Sequence, residues 1–180
     1  MGRVHLFTGN PGKAREVRDL LAAEGHEVTV HGYRFREPQT DLLEEVVRAK
    51  IAQLPPLRDP CLVEDSGLFV EALGGFPGVY SAYVFQTLGV RGLLRALPRH
   101  GSRRAIFRTV LGVRTDARSR FFEGRVEGRI AATPRGTHGF GFDPVFIPEN
   151  ARKTFAEMTR AEKNRFSHRS RALRRALPYL

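Results

Sequence analysis

Four short stretches of this sequence bring together side chains suited to a phosphorylated, oxygen-rich ligand. In the first, Thr8-Gly9-Asn10-Pro11-Gly12-Lys13, two glycines and a lysine surround a proline placed to open a helix. A helix N-terminus presents unpaired N–H groups and a partial positive charge, so phosphate suits it. The pattern is not a Gly-x-x-x-x-Gly-Lys-Ser/Thr loop, because Phe7 and Ala14 stand where that loop needs glycine and a hydroxyl. An ordinary strand-to-helix turn fits the same residues. The second stretch, Glu64-Asp65-Ser66-Gly67, follows the apolar Leu62-Val63. In open α/β sheets, ligands gather beyond the carboxyl ends of strands. Adjacent strand residues point to opposite faces, so Glu64 and Asp65 are not expected to act as a pair. A carboxylate beside phosphates calls for a divalent cation between them. A turn capped by Asp65 is the competing reading.

The third stretch, Thr137-His-Gly-Phe140-Gly141-Phe142-Asp143-Pro144, offers two flat aromatic faces on a backbone loosened by glycine. It suits stacking a base, or else a loop whose aromatics plug the core. The fourth combines Lys163 with Ser167-His168-Arg169-Ser170. Ser167 is a plausible N-cap, which places Arg169 in the first helical turn and in line with Leu173 and Leu177. A cation there opposes the helix dipole and needs a partner, either a ligand or a buried acid. Lys50 lies four residues after Val46, at the edge of an apolar helix face, where a snorkelling lysine is the simpler reading.

Hydropathy patterning supplies the elements that position these groups. Strands are expected at Arg3–Thr8, Glu27–His31, Cys61–Asp65 and Val145–Ile147. Two β-rich segments, Arg103–Thr115 and Ser119–Ala132, flank a turn at Asp116. Helices are expected at Pro11–Glu24, Asp41–Leu54, Thr87–Leu97, Thr159–Asn164 and His168–Tyr179. Cys61–Asp65 should lead into a Ser-Gly turn, and Thr159…Glu162 forms a capping-box pattern. Strand–helix–strand–helix–strand followed by a hairpin predicts an α/β chain with a mixed sheet. The 180 residues suit one domain. A single cysteine, Cys61, rules out an internal disulfide framework and fits a reducing compartment, taken as the cytoplasm. The longest uncharged run, Ala72 to Val90, contains four glycines and a proline, so no membrane span is expected. The histidines show no zinc spacing.

Taken together and in order, these motifs resemble the noncanonical purine nucleoside triphosphate pyrophosphatases, the inosine/xanthosine triphosphate pyrophosphatase family. The matching text is Thr8-Gly-Asn-x-x-Lys13, Glu64-Asp-Ser-Gly67, Ala72-Leu-Gly-Gly-x-Pro-Gly-x-Tyr80, Gly139-Phe-Gly-x-Asp-Pro144, Thr154-Phe-Ala-Glu-Met158, Glu162-Lys-Asn and Ser167-His-Arg169. The Glu64-Asp65 form and the run Gly75–Ser81 resemble the archaeal branch most. The resemblance implies an elongated mixed sheet flanked by helices, two lobes around a deep substrate cleft, and a homodimer. It implies Mg2+-dependent hydrolysis of ITP, dITP or XTP to the monophosphate and pyrophosphate, which cleanses the nucleotide pool. It further implies that Thr8, Gly9, Asn10, Pro11, Gly12 and Lys13 cradle the triphosphate, that Asp65 is the catalytic carboxylate and a metal ligand, and that Ser66 touches substrate. Glu37 matches a second metal carboxylate, with Asp41 and Glu44 as alternatives. Lys50 and Lys163 match substrate lysines, and Phe140, Gly141, Phe142 and Asp143 match the base pocket. His168 and Arg169 match a pair facing the purine's oxygenated edge. One departure stands out: Ala82 and Tyr83 occupy a region where many relatives carry a basic residue.

The chain carries 30 Lys plus Arg against 19 Asp plus Glu, a formal net charge of +11. Read alone, that suggests a nucleic-acid-binding module. No nucleic-acid motif accompanies it, so no specific nucleic-acid binding is expected. A pyrophosphatase acting on other modified bases is a further alternative. Only four of the basic residues are lysines, and Lys13, Lys50 and Lys163 fall on expected substrate positions.

Overall fold

The computed structural model describes residues 2–116 and 118–180. Its first part alternates β1 (Arg3–Phe7), α1 (Pro11–Ala23), β2 (Glu27–His31), α2 (Leu43–Ala52) and β3 (Cys61–Val70). There follow β4 (Pro77–Gly78), α3 (Ser81–Thr87), α4 (Gly89–Ala96), β5 (Arg104–Thr115), β6 (Arg118–Ile130), β7 (Phe146–Pro148), α5 (Arg160–Asn164) and α6 (His168–Ala176). The strands form one seven-stranded sheet in the order β2-β1-β3-β5-β6-β7, with β4 paired to β3 outside that path. β1 runs parallel to β2 and to β3, whereas β4 is antiparallel to β3 and β7 to β6. The mixed α/β sheet expected from the sequence is therefore present.

Tertiary contacts resolve two compact units, each assembled from separated segments. The first comprises the described residues of Met1–Asp65, Thr109–Gly124 and Arg169–Leu180; the second comprises Ser66–Arg108 and Arg125–His168. The first has a core of Val4, Leu6, Val17, Leu21, Leu62, Leu111, Val113, Ala172, Leu173 and Ala176. Alternation along β1 sends Val4 and Leu6 into that core, β3 and β5 add Leu62, Leu111 and Val113, and the helical period of α1 and α6 supplies the rest. The second core is more aromatic, with Phe107, Phe142, Phe146 and Phe155 packed among Leu68, Leu93, Val126 and Ile130.

Three elements differ from expectation. β3 does not stop at Asp65 in a Ser-Gly turn; it continues through Ser66 and Gly67 to Val70. Glycine serves close packing there, since a Cβ on Gly67 would lie 2.3 Å from the Gly78 carbonyl oxygen of β4. The helix expected at Thr87–Leu97 is α4, and a further helix, α3, precedes it. α3 buries only Ser81 and Val84, so it lacks the apolar stripe that would have marked it. Gly89, at φ 63°, sits where α3 gives way to α4. The last helix ends at Ala176 and passes into a tighter turn over Leu177–Tyr179 that holds Pro178, whose ring cannot donate to a helical ladder. No described helix is long and apolar enough to cross a membrane.

Candidate active site

In the first unit, the loop between β1 and α1 is shaped by its own side chains. Asn10 is the N-cap of α1, its Oδ1 accepting from the backbone N–H of Gly12 at 2.9 Å and of Lys13 at 3.1 Å. Thr8 Oγ1 accepts from the Asn10 N–H at 3.1 Å, and the Thr8 N–H donates to the His31 carbonyl of β2. The amides that were expected to face an anion are thus directed at Thr8 and Asn10, as in any well-capped helix. The full charge at this loop is the ammonium of Lys13.

That ammonium meets both carboxylates at the centre of β3. Lys13 Nζ lies 3.3 Å from Glu64 Oε1 and 3.7 Å from Asp65 Oδ1. A long lysine stem reaching in from α1 thus touches both of these adjacent β3 residues. Asp65 Oδ1 also accepts from Lys50 Nζ at 2.9 Å, and Lys50 in turn lies 2.8 Å from Glu37 Oε1. α2 carries Lys50 into the interior, where it is 5% exposed rather than snorkelling. Burial alone would lower its pKa. The Asp65 and Glu37 carboxylates outweigh that effect and hold Lys50 above the ordinary lysine range.

Behind these residues lies a buried ion network. The Arg169 guanidinium, 1% exposed, donates through Nε to Glu64 Oε1 at 3.2 Å and places Nη2 3.1 Å from the same oxygen. Its Nη1 donates to Glu16 Oε2. Burial works against the Arg169 charge, but the Glu64 and Glu16 carboxylates more than offset it and raise its pKa above the ordinary arginine value. Of the two partners foreseen for Arg169, the structure supplies the buried acid. Glu16 was not anticipated. The available signal was a carboxylate one turn before Leu20, at the margin of the apolar face of α1.

The second unit holds the other expected residues. Asp143 Oδ2 accepts from the Phe140 N–H at 2.8 Å and from Lys163 Nζ at 2.6 Å. Lys163 and Asp143 are both buried, and the ammonium sits 4.9 Å from the Phe140 ring centroid and 5.2 Å from that of Phe155. Gly139, at φ 75°, passes so close that a Cβ would lie 2.1 Å from Asp143 Oδ2. Phe142 plugs the core, edge-on to Phe85, whereas Phe140 and Gly141 are only partly buried. His168 is buried and stacks on Phe107 with centroids 4.7 Å apart. Ser66 is half-buried on β3.

Among the described residues, no group of three or more His, Cys, Asp or Glu side chains is arranged to hold a metal. Glu37 and Asp65 nevertheless aim hard carboxylate oxygens at one cation, the Lys50 ammonium, which is the donor chemistry a divalent cation takes.

These motifs, on this sheet, have close counterparts among known proteins. A model of the Ham1 family matches residues 4–179. The chain belongs to the Ham1 family. It is 46% identical over 179 residues to a Pyrococcus horikoshii protein named dITP/XTP pyrophosphatase, covering 99% of this chain and 96% of that one. It is 50% identical over 173 residues to the Thermococcus kodakarensis protein of the same name, covering 96% and 94%. The solved structure of the Staphylococcus aureus Ham1 protein is 27% identical and superposes with a TM-score of 0.80 over 97% of each chain. The motif-based resemblance and the fold of this Ham1 chain therefore agree.

Proposed function

We propose that this Ham1 chain, as a single catalytic domain of 180 residues, hydrolyses dITP, ITP and XTP to the nucleoside monophosphate and pyrophosphate. The observation that carries the reading is the convergence of Lys13 and Lys50 on Asp65, with Glu37 on the same Lys50 ammonium, together with the names of relatives that match over nearly the whole chain. In this reading Asp65 orients and deprotonates the attacking water, which adds to the α-phosphorus while the bond to the pyrophosphate oxygen breaks. Lys13 and Lys50 are placed to neutralise charge on the departing pyrophosphate. Thr8, Gly9, Asn10, Pro11 and Gly12 shape the loop that presents Lys13.

Glu37 and Asp65 would hold the divalent cation, Mg2+, whose bound charge offsets that of the phosphate oxygens. The purine falls to the loop Phe140, Gly141, Phe142 and Asp143, with Lys163, His168 and Ser66. Arg169 belongs to this group by resemblance. A pocket that donates hydrogen bonds to a carbonyl at purine position 6 rejects adenine, whose amino group there leaves those donors unpaired. A cytoplasmic homodimer without specific nucleic-acid binding completes the reading. Pyrophosphate release from dITP by the purified chain with Mg2+ tests it: turnover that is lost on chelation supports the reading, and an inert chain refutes it.

A further inference from the structure

Glu37 stands on a stretch without regular structure, residues 32–42, that joins β2 to α2. Such a segment has no ladder to satisfy its backbone groups, so the partners it finds fix where it lies. One residue at the end of α2 supplies several of them. Gln53 Oε1 accepts from the Arg36 N–H at 2.9 Å, and Gln53 Nε2 donates to the Arg36 carbonyl at 2.8 Å. Nε2 also donates to the Ala49 carbonyl at 2.9 Å, one turn back in the helix. These contacts leave the amide one orientation, because turning it over would set Oε1 against two carbonyl oxygens. The Gln53 carbonyl accepts from Tyr33 Oη at 3.0 Å, so the same residue holds the segment at a second point.

Gln53 follows Lys50 by three positions and is therefore its neighbour on the helix surface. Two neighbours on α2 thus grip two consecutive residues of the segment: Gln53 takes the backbone of Arg36, and Lys50 takes the carboxylate of Glu37 at 2.8 Å. Half of the Glu37 side chain is exposed, so its place depends on how the backbone presents it. We propose that Gln53 is a positioning residue: its amide clamps the Arg36 backbone and thereby keeps the Glu37 carboxylate at the point it shares with Asp65. Gln53 touches neither substrate nor cation in this account, so its effect passes through Glu37.

The role at the divalent cation rests on the pyrophosphatase reading; the clamp itself does not, and two measurements separate them. The first is a double-mutant cycle on urea unfolding of the full chain in the presence of a chelator at pH 7. Gln53→Met keeps the length of the side chain and removes its hydrogen bonds. Glu37→Gln should lower the urea midpoint of the wild type, and in the Gln53→Met background that shift should fall to less than about half. No shift in the wild type, or equal shifts in both backgrounds, would overturn the proposal, since Gln53 would then only stabilise its end of α2. The second measurement is dITP turnover against Mg2+ concentration. Gln53→Met should raise the half-activating Mg2+ concentration about tenfold and leave kcat at saturating Mg2+ within about twofold. An unchanged Mg2+ requirement would also overturn the proposal. Wild-type inactivity on dITP would defeat the pyrophosphatase reading and with it the cation role, while the urea cycle still decides whether Gln53 places Glu37. Should Gln53→Met fail to fold, Gln53→Glu enters the same two measurements with the same results expected: it keeps one oxygen for the Arg36 N–H and turns the other against the Arg36 and Ala49 carbonyls.

Discussion

Asp65 carries the chemistry in this account because it is the carboxylate on which two ammonium groups converge, Lys50 at 2.9 Å and Lys13 at 3.7 Å. Asp65→Asn should lower pyrophosphate release by about 100-fold or more while leaving the circular dichroism spectrum unchanged; near-normal turnover would remove Asp65 from its role. Lys50 allows a pH prediction with a definite sign. Burial lowers its pKa, the Asp65 and Glu37 carboxylates raise it more, and the folded value ends above the ordinary one. Its contribution to stability is therefore complete below the unfolded lysine value near 10.4 and fades only as pH rises beyond it. Denaturation of Lys50→Met beside wild type should show a constant difference from pH 7 to about 10 that narrows at higher pH. Gly139 makes a third case, because φ 75° and the Asp143 carboxylate both exclude a side chain. Gly139→Ala should cost about 1–3 kcal/mol in thermal unfolding. It should also disturb the Lys163–Asp143 pair. Lys13, Lys50, Lys163 and Asp65 were all legible in the sequence as residue types. What each one touches was not, because an ion pair between α1 and β3 or between α5 and a distant loop leaves no local spacing to read.

Elements decide how these residues are presented. The β1–α1 loop was expected to offer amides to phosphate, and instead Asn10 caps two of them while Thr8 holds the Asn10 N–H. Two substitutions separate the structural and functional duties of Asn10. Asn10→Asp keeps an acceptor at the N-cap and should hold the unfolding midpoint, yet it puts a negative charge beside the phosphates and should raise KM for dITP. Asn10→Ala should lower stability by about 1 kcal/mol through loss of the cap. If Asn10→Asp left KM unchanged, the loop would not be a phosphate site. The C-terminal part relies on two capping boxes, Thr154 with Glu157 and Thr159 with Glu162. The second was readable as Thr-x-x-Glu. Hydrogen bonds from the Thr154 and Thr159 backbone N–H hold Glu157 and Glu162 below the ordinary carboxylate range. That stabilisation is present above the unfolded value near 4.3 and is lost as pH falls through the lower folded values. Amide protection factors at Phe155–Glu157 and Arg160–Asn164 should therefore drop on acidification below about pH 4. Elements with a plain period, such as α1 and α2, were found from sequence. α3 was missed because only two of its residues are buried.

At the scale of the whole molecule, α1, α2 and the Cys61–Asp65 part of β3 share one compact unit with α6 from Arg169 onward, so that residues far apart in sequence, Glu16, Glu64 and Arg169, meet. The mixed character of the sheet followed from element order. The division into two units did not, because the chain crosses between them inside β3, β5 and β6 and at the start of α6 rather than at linkers rich in glycine or proline. The net charge of +11 also takes on a narrower meaning. At the carboxylate cluster the positive charges are largely matched by acids, so the surplus arginine is a surface property that steers an anionic ligand weakly and over distance. KM for dITP should rise with added salt over 0.05–0.3 M as screening shortens to about a Debye length of 10 Å or less, while kcat changes little. The central claim, that these residues form a pyrophosphatase selective for 6-oxo purines outside the standard set, is tested most directly by product analysis. The full chain with Mg2+ is presented in turn with dITP, ITP, XTP, dATP, dGTP and dUTP. The account predicts one pyrophosphate per monophosphate from dITP, ITP and XTP, with dATP and dUTP at least about 100-fold slower. Release of single phosphates, equal turnover of all six, or none would contradict it.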